Sequence, residues 1–268
     1  MMLMITSFNE NLLNQYGRRM VEEFSEKSDG SVKLLVIYEG NTVPDIHLKN
    51  IEFACFNHPG HHEFMRKFAH LQEARGLRIT FLPGNKVNLS PDFRFDAVRF
   101  SFKIFSLLQA LDLYKPSHHF AWLDADIRCL KSFSASNLEQ FFPEKNQLMS
   151  YLGRNNFPPS GAYSECGFLG FNIQHSQLMP FLNRMADIYT NGEIFAHEQW
   201  HDSWIWDKTR EEFERQEVKF KNISGVAVST EHPFINSDLG IFFDHLKGPQ
   251  RKQSGHSFDS DYKVRSKT

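Results

Sequence analysis

The stretch His119-Phe-Ala-Trp-Leu-Asp-Ala-Asp-Ile-Arg-Cys-Leu130 carries an apolar run into two carboxylates, Asp124 and Asp126, set one residue apart. In an extended chain successive side chains alternate faces, so residues i and i+2 project the same way and two oxygen ligands can converge on one hard cation. That geometry suits metal and diphosphate chemistry. A D-x-D triplet by itself is weak, because surface turns and helix caps produce many. Its meaning depends on its companions.

On either side of this stretch the chain alternates strand-like and helix-like segments. Residues 2–6 read as a short buried strand, followed by a helix over 11–24. The β-rich run Val-Lys-Leu-Leu-Val-Ile-Tyr at 32–38 and a shorter one at 51–56 predict two more strands. A helix is expected over 61–75, stopping at Gly76. Ser90-Pro91-Asp92 combines a capping hydroxyl, a first-turn proline and an acid, and predicts a buried helix from there to about Leu113. On that helix Asp96, Arg99 and Lys103 share one face, either as an internal Asp–Arg pair or as an anion-facing group. Strands at 148–153 and 166–172 and helices at 176–189 and 202–217 complete the pattern. Alternation of this kind predicts an α/β fold, a mostly parallel central sheet flanked by helices.

The chain has 268 residues, 41% of them hydrophobic, with 27 phenylalanines and a formal charge of −2. That is enough apolar material for one substantial domain, assigned to residues 1–250, and the charge argues against a surface built throughout for polyanions. Residues 246–268 hold six Lys or Arg against two Asp, so 251–268 reads as a basic C-terminal tail, loose towards its end. Cys55, Cys129 and Cys166 fit neither a disulfide framework nor a CxxC knuckle. The N-terminus lacks a basic n-region and no stretch approaches the ~20 apolar residues of a membrane span. A cytoplasmic protein without a membrane partner is expected.

The second half of the chemistry is Phe242-Phe-Asp-His-Leu-Lys-Gly-Pro-Gln-Arg-Lys252. If strand geometry persists there, His245 and Lys247 point to one side, Gly248 lets backbone come close, and Arg251 and Lys252 reach for phosphate oxygens. A histidine after a strand is commonly structural and a basic run is commonly a solvated face. The pairing with Asp124 and Asp126 favours a diphosphate cradle.

These segments, taken in order with Thr6-Ser7-Phe8, the Asp96/Arg99/Lys103 helix, Glu165-Cys-Gly-Phe-Leu-Gly-Phe-Asn172 and His201-Asp202-Ser203, resemble the small metal-dependent glycosyltransferases of the GT-A fold. The resemblance implies a single Rossmann-like GT-A domain with a small antiparallel element on the acceptor side. It implies a nucleotide-sugar donor, UDP-linked, with Thr6, Ser7, Phe8, Tyr38 and Glu39 near base and ribose. Asp124 would touch ribose and metal, and Asp124, Asp126 and His245 would ligate Mn²⁺ or Mg²⁺, the nitrogen ligand favouring Mn²⁺. Lys247, Gly248, Arg251, Asp96, Arg99 and Lys103 would serve the diphosphate. Asp202 is the candidate base for the acceptor hydroxyl, with Glu165 in reserve; the simpler reading of Asp202 is a helix cap.

The chain also resembles small phage-type transferases, including those that glucosylate hydroxymethylated pyrimidines in DNA. On that reading the basic tail (Arg251, Lys252, Lys263, Arg265, Lys267) meets phosphates, and Trp200, Trp204 and Trp206 stack on an extruded base. The plainer alternative is that these tryptophans fill the core and the tail is merely solvated, and a cell-surface glycan or lipopolysaccharide core as acceptor explains the same donor site. A rival motif, His197-Glu198-Gln199-Trp200-His201, is a literal H-E-x-x-H, the zinc-protease pattern. It needs a helix, and Thr190-Asn191-Gly192 breaks the chain just before it; Trp204 stands where the longer pattern has glycine. A binding module without catalysis would have no need of the two aspartates and the late histidine together.

Overall fold

The computed structural model describes residues 1–82, 86–116, 118–154 and 163–263. Strands β1 (Met2–Phe8), β2 (Val32–Tyr38) and β3 (Ile51–Cys55) pair in parallel, with Met2 opposite Val32 and Phe8 opposite Tyr38. A separate antiparallel pair is made by β4 (Leu77–Leu82) and β5 (Lys86–Pro91). Strand β6 (His119–Leu123) lies parallel to β1 on its other side and leads to the short β7 (Ile127–Cys129). Next come β8 (Gln147–Leu152) and β9 (Glu165–Asn172), then β10 (Lys219–Asn222) and β11 (Phe243–His245). The central sheet has seven strands in the order β10-β8-β9-β6-β1-β2-β3, and only β9 runs against both its neighbours. This is the expected α/β architecture, mostly parallel and accompanied by small antiparallel pairs.

Period-two alternation explains how the sheet is buried on both faces. Leu3, Ile5, Leu35 and Ile37 enter one core with the helices α3 (Pro59–Phe68), α4 (Ala97–Leu113) and α6 (Leu178–Thr190). Met4, Phe8, Leu34 and Val36 enter the other, against Met20, Val21 and Phe24. The first helical segment runs from Glu10 to Lys27 and is interrupted by a π-helical turn, Leu13–Gly17. Such turns recur at functional sites, and this one carries Tyr16, which faces the cleft described below.

Three predicted boundaries move. The helix expected over 61–75 starts at Pro59 and ends at Phe68, where Arg75 Nε donates to the Ala69 carbonyl at 2.7 Å and satisfies the helix end. A short 3₁₀ turn, Glu73–Arg75, then precedes Gly76. The helix expected from Ser90 starts at Ala97: Ser90 and Pro91 finish β5, and Asp96 is the cap, accepting from Arg99 N at 3.0 Å. The basic segment, expected to loosen only towards its end, is docked on the body as far as Lys263. Arg251 pairs with Asp261, Ser257 N donates to Asp244 at 2.8 Å, and Lys263 N donates to Asn236 at 2.9 Å. Arg265 and Lys267 lie outside the described residues. Among the described residues no helix is long and apolar enough to cross a membrane.

Candidate active site

The chain leaves β6 and turns sharply. Asp124 N donates to the Gly167 carbonyl of β9 at 3.0 Å, and Ile127 N donates back to the Asp124 carbonyl at 3.3 Å. The two aspartates therefore sit on a turn, where an extended strand had been expected. β7 then pairs antiparallel with β11, Ile127 opposite His245, and Leu246 N donates to the Asp126 carbonyl at 3.1 Å. That short ladder brings residues more than a hundred positions apart to one place. His245 Nε2 is 3.3 Å from Asp126 Oδ1 and 3.7 Å from Asp124 Oδ2, and one ligand atom from each residue lies within 4.8 Å of the others. Ligand atoms about a hard cation at ~2.1 Å stand ~3 Å apart, so two carboxylates and an imidazole at these separations suit a divalent ion with little movement.

The other ring nitrogen of His245 has a partner of its own. Nδ1 is 2.6 Å from Glu165 Oε1, and Glu165, His232 and His245 form a second group of possible ligands. That second group is wholly buried, and Glu165 is already approached by Arg154 at 3.3 Å and Lys247 at 3.6 Å. Lysines stand beside both groups, Lys103 and Lys252 at the two aspartates, so what separates the groups is access: the Asp124/Asp126 side is only partly buried and opens on the cleft. Burial pushes the His245 imidazole down, but Asp126 and Glu165 together outweigh it and raise its pKa to about 9. Burial likewise favours the neutral form of Asp126, and His245 with Lys252, 2.8 Å away, holds its carboxyl well below the usual range. An imidazole that ligates must give up the Nε2 proton.

Beneath this group lies a buried ion triad. The Lys103 ammonium is 2.9 Å from Asp124 Oδ1, contacts Asp202, and donates to the Cys166 carbonyl at 2.9 Å. Burial alone would lower the Lys103 pKa, and the two aspartates reverse that, so it is raised and the group stays charged. Asp124 also accepts from Trp122 Nε1 at 2.5 Å. For Asp202 the sum runs the other way: burial raises its carboxyl, and Lys103 overcomes that and holds it below the ordinary value. Asp202 is the first residue of α7 (Asp202–Glu214) and accepts from Ser203 N, but the cap is His201, which accepts from Trp204 N, so the capping alternative falls one residue away from Asp202. Glu165, 2% exposed, has its oxygens taken up by His245, His232, Arg154 and Phe234 N, and is held well below the carboxylate range. Both acids line the cleft described below, and Asp202 lines its smaller compartment as well.

A cleft of about 910 Å³ opens over the group, lined among others by Tyr16, Arg99, Asp124, Asp126, Lys247, Gly248 and Lys252. A smaller compartment of about 360 Å³ shares Tyr16, Arg99 and both aspartates and adds Ser7, Glu39 and Lys103. Ser7 donates to Glu39 at 2.8 Å, and burial lifts the Glu39 carboxyl to about 7 despite that bond. Gly248, at φ +79°, leaves open space where a Cβ would stand. Lys247 and Gly248 thus face the cleft.

Several expected site residues are elsewhere. Thr6 and Phe8 are fully buried, Phe8 against the rings of Tyr38 and Phe53, and Tyr38 is buried too. Strand alternation explains why only Ser7 of its triplet reaches the compartment. Asp96 is committed to capping α4, with no ion pair to Arg99 among the described residues. Arg251 lies over the Phe258 ring and pairs with Asp261, away from the cleft. Trp200 and Trp206 are core residues, 8% and 3% exposed, which removes two of the three rings proposed to stack on a base. His197-Glu198-Gln199-Trp200-His201 is not helical: His197 follows a 3₁₀ turn, and His201 caps α7 through Nδ1 while Nε2 meets Gln199 at 3.0 Å. That excludes the zinc-protease geometry. Conversely, Tyr16, Trp122, Arg154 and His232 join the site without any motif that marked them.

No known family's sequence profile matches the chain, and no curated protein matches it. Among solved structures it is similar to a glycosyltransferase involved in the glycosylation of the major capsid of PBCV-1, at 12% identity over 94% of this chain and 98% of that chain, with a TM-score of 0.48. It is also similar to mouse xyloside xylosyltransferase 1, apo form, at 12% identity over 83% of this chain and 85% of that chain, with a TM-score of 0.44.

Proposed function

We propose that the chain is a metal-dependent glycosyltransferase that moves a hexose from a nucleotide-diphosphate sugar, UDP-linked, to an acceptor hydroxyl. The observation that carries this is the meeting of Asp124, Asp126 and His245 at the floor of a cleft that also holds Lys247 and Gly248. A divalent cation, Mn²⁺ or Mg²⁺, held by those three side chains would neutralise the charge that develops on the diphosphate as the sugar departs. Lys247 supplies a cation from the protein at the same place, and Gly248 lets backbone approach the phosphates. Arg99, exposed in both compartments, is a further phosphate partner. The smaller compartment suits the nucleoside, with the Ser7–Glu39 pair offering donors and acceptors to ribose or base.

The acceptor side is the stretch of cleft towards Phe93, Arg94, Tyr163 and His201. With Trp200 and Trp206 in the core, the DNA reading keeps Trp204 and the cleft cations as its support, and a glycan hydroxyl fits the same donor site. A cytoplasmic place of action goes with this proposal. The test is incubation with a panel of nucleotide-sugars and Mn²⁺, offering hydroxymethylcytosine DNA, hydroxymethyluracil DNA and simple glycans, with products read by mass spectrometry. Transfer or slow donor hydrolysis that needs Mn²⁺ is expected. A chain that neither binds Mn²⁺ nor turns over any nucleotide-sugar overturns the reading.

A further inference from the structure

Glu165 is a carboxylate at the first position of a fully buried strand, surrounded by more donors than its own neutralisation requires. Its Oε1 meets His245 Nδ1 at 2.6 Å, and His232 Nδ1 lies 3.1 Å from the same oxygen. Its Oε2 meets Phe234 N at 3.2 Å, Arg154 at 3.3 Å and Lys247 at 3.6 Å. His232 in turn places Nε2 2.9 Å from the carbonyl of His245 itself, so the ring is held from its side chain and from its backbone at once. The strand is shaped to let this happen. A Cβ on Gly167 would stand 2.7 Å from His245 Nδ1 and Cε1, closer than any side chain tolerates.

We infer that Glu165, backed by His232, is a positioning residue that aims Nε2 of His245 at the Asp124/Asp126 site and ties that imidazole to Lys247. The inference rests on the proposed metal-dependent reading of the same cleft. Its physical content is that a ligating imidazole is oriented, and its donor nitrogen made more basic, by a carboxylate on the opposite ring nitrogen. Because Lys247 shares the carboxylate, one buried acid aligns the ion ligand and the phosphate-facing ammonium together. Glu165 acts through these two groups and touches no reacting atom.

The experiment titrates the purified protein with Mn²⁺ alone, by calorimetry, and follows thermal unfolding of each variant without metal. Glu165→Gln is expected to weaken Mn²⁺ binding by about 10- to 100-fold, the usual consequence of losing such an orienting partner. His232→Gln is expected to weaken it by a smaller factor, and Glu165→Asp to fall between wild type and Glu165→Gln. Glu23→Gln, which removes another largely buried carboxylate bonded to Arg128 and Cys129 N, is expected to lower the melting temperature and leave Mn²⁺ binding as it was. Should Glu165→Gln fail to fold, His232→Gln and Glu165→Asp decide. Mn²⁺ affinity equal to wild type in the folded variants overturns this inference while leaving the metal site standing. Wild-type protein that binds no Mn²⁺ overturns instead the reading beneath it.

Discussion

Two sets of histidines and acids in this chain look alike on paper and differ in space. His197-Glu198-Gln199-Trp200-His201 is compact in sequence, yet its imidazoles are committed apart: His201 caps α7, and His197 ends a 3₁₀ turn 3.9 Å from Glu193. Asp124, Asp126 and His245 are scattered, yet they converge within 4.8 Å because the β7–β11 ladder carries His245 to the turn after β6. A ligand set is made by the element that presents it, and proximity along the chain counts for little without one. A helix would have put His197 and His201 on one face one turn apart; irregular backbone does not.

The largest effect that tests this contrast is a pair of single substitutions. Asp126→Asn is expected to abolish Mn²⁺-dependent turnover, while Glu198→Gln leaves both Mn²⁺ binding and turnover unchanged. Calorimetry and product mass spectrometry on the two proteins check it, and the reverse pattern would hand the site to the compact motif.

A second test concerns the ion triad under the converging group. Lys103→Met is expected to destabilise the fold by about 3–5 kcal/mol at pH 7, since it leaves Asp202 buried and unpaired. In the wild type Asp202 titrates below its unfolded value of about 3.9. The paired state therefore stabilises the fold fully above that pH and loses this contribution as pH falls through the depressed native value. In the variant the sign inverts, because an unpaired buried carboxylate is relieved by taking up a proton, so acidification should narrow the stability gap. Urea unfolding from pH 7 to pH 4 measures this, and a gap that is absent at pH 7 contradicts the triad.

The smallest effect belongs to Arg251, a cation near His245 in sequence and turned from the cleft in space. Arg251→Ala is expected to cost about 1 kcal/mol or less, through its partly exposed pair with Asp261. It should leave the KM for nucleotide-sugar where it was; a rise in KM of tenfold or more would place Arg251 at the phosphates after all.

Much of the fold was legible because hydrophobic period is local. The runs at 32–38 and 166–172 and the helices near 176–189 and 202 became β2, β9, α6 and α7 with ends shifted by few residues. Boundaries moved where a tertiary partner chose them, as Arg75 did at Ala69 and the β4–β5 pairing did at Pro91. Within the site the acids and His245 could be named from type and order. Roles could not, because a carboxylate's chemistry depends on its neighbours, and only the structure sets Asp202 against Lys103 and Glu165 among five donors.

The sequence by itself determined an α/β chain with one large core, two acids after an apolar strand, and a histidine and lysine after another, since these follow from periodicity and residue chemistry over a few positions. Only the tertiary structure decided that Asp124, Asp126 and His245 share a site, that His245 faces them with Nε2 and Glu165 with Nδ1, and that Tyr16, His232 and Arg154 stand beside them. Contacts of that kind depend on strand order and on the register between β7 and β11, which no local pattern encodes.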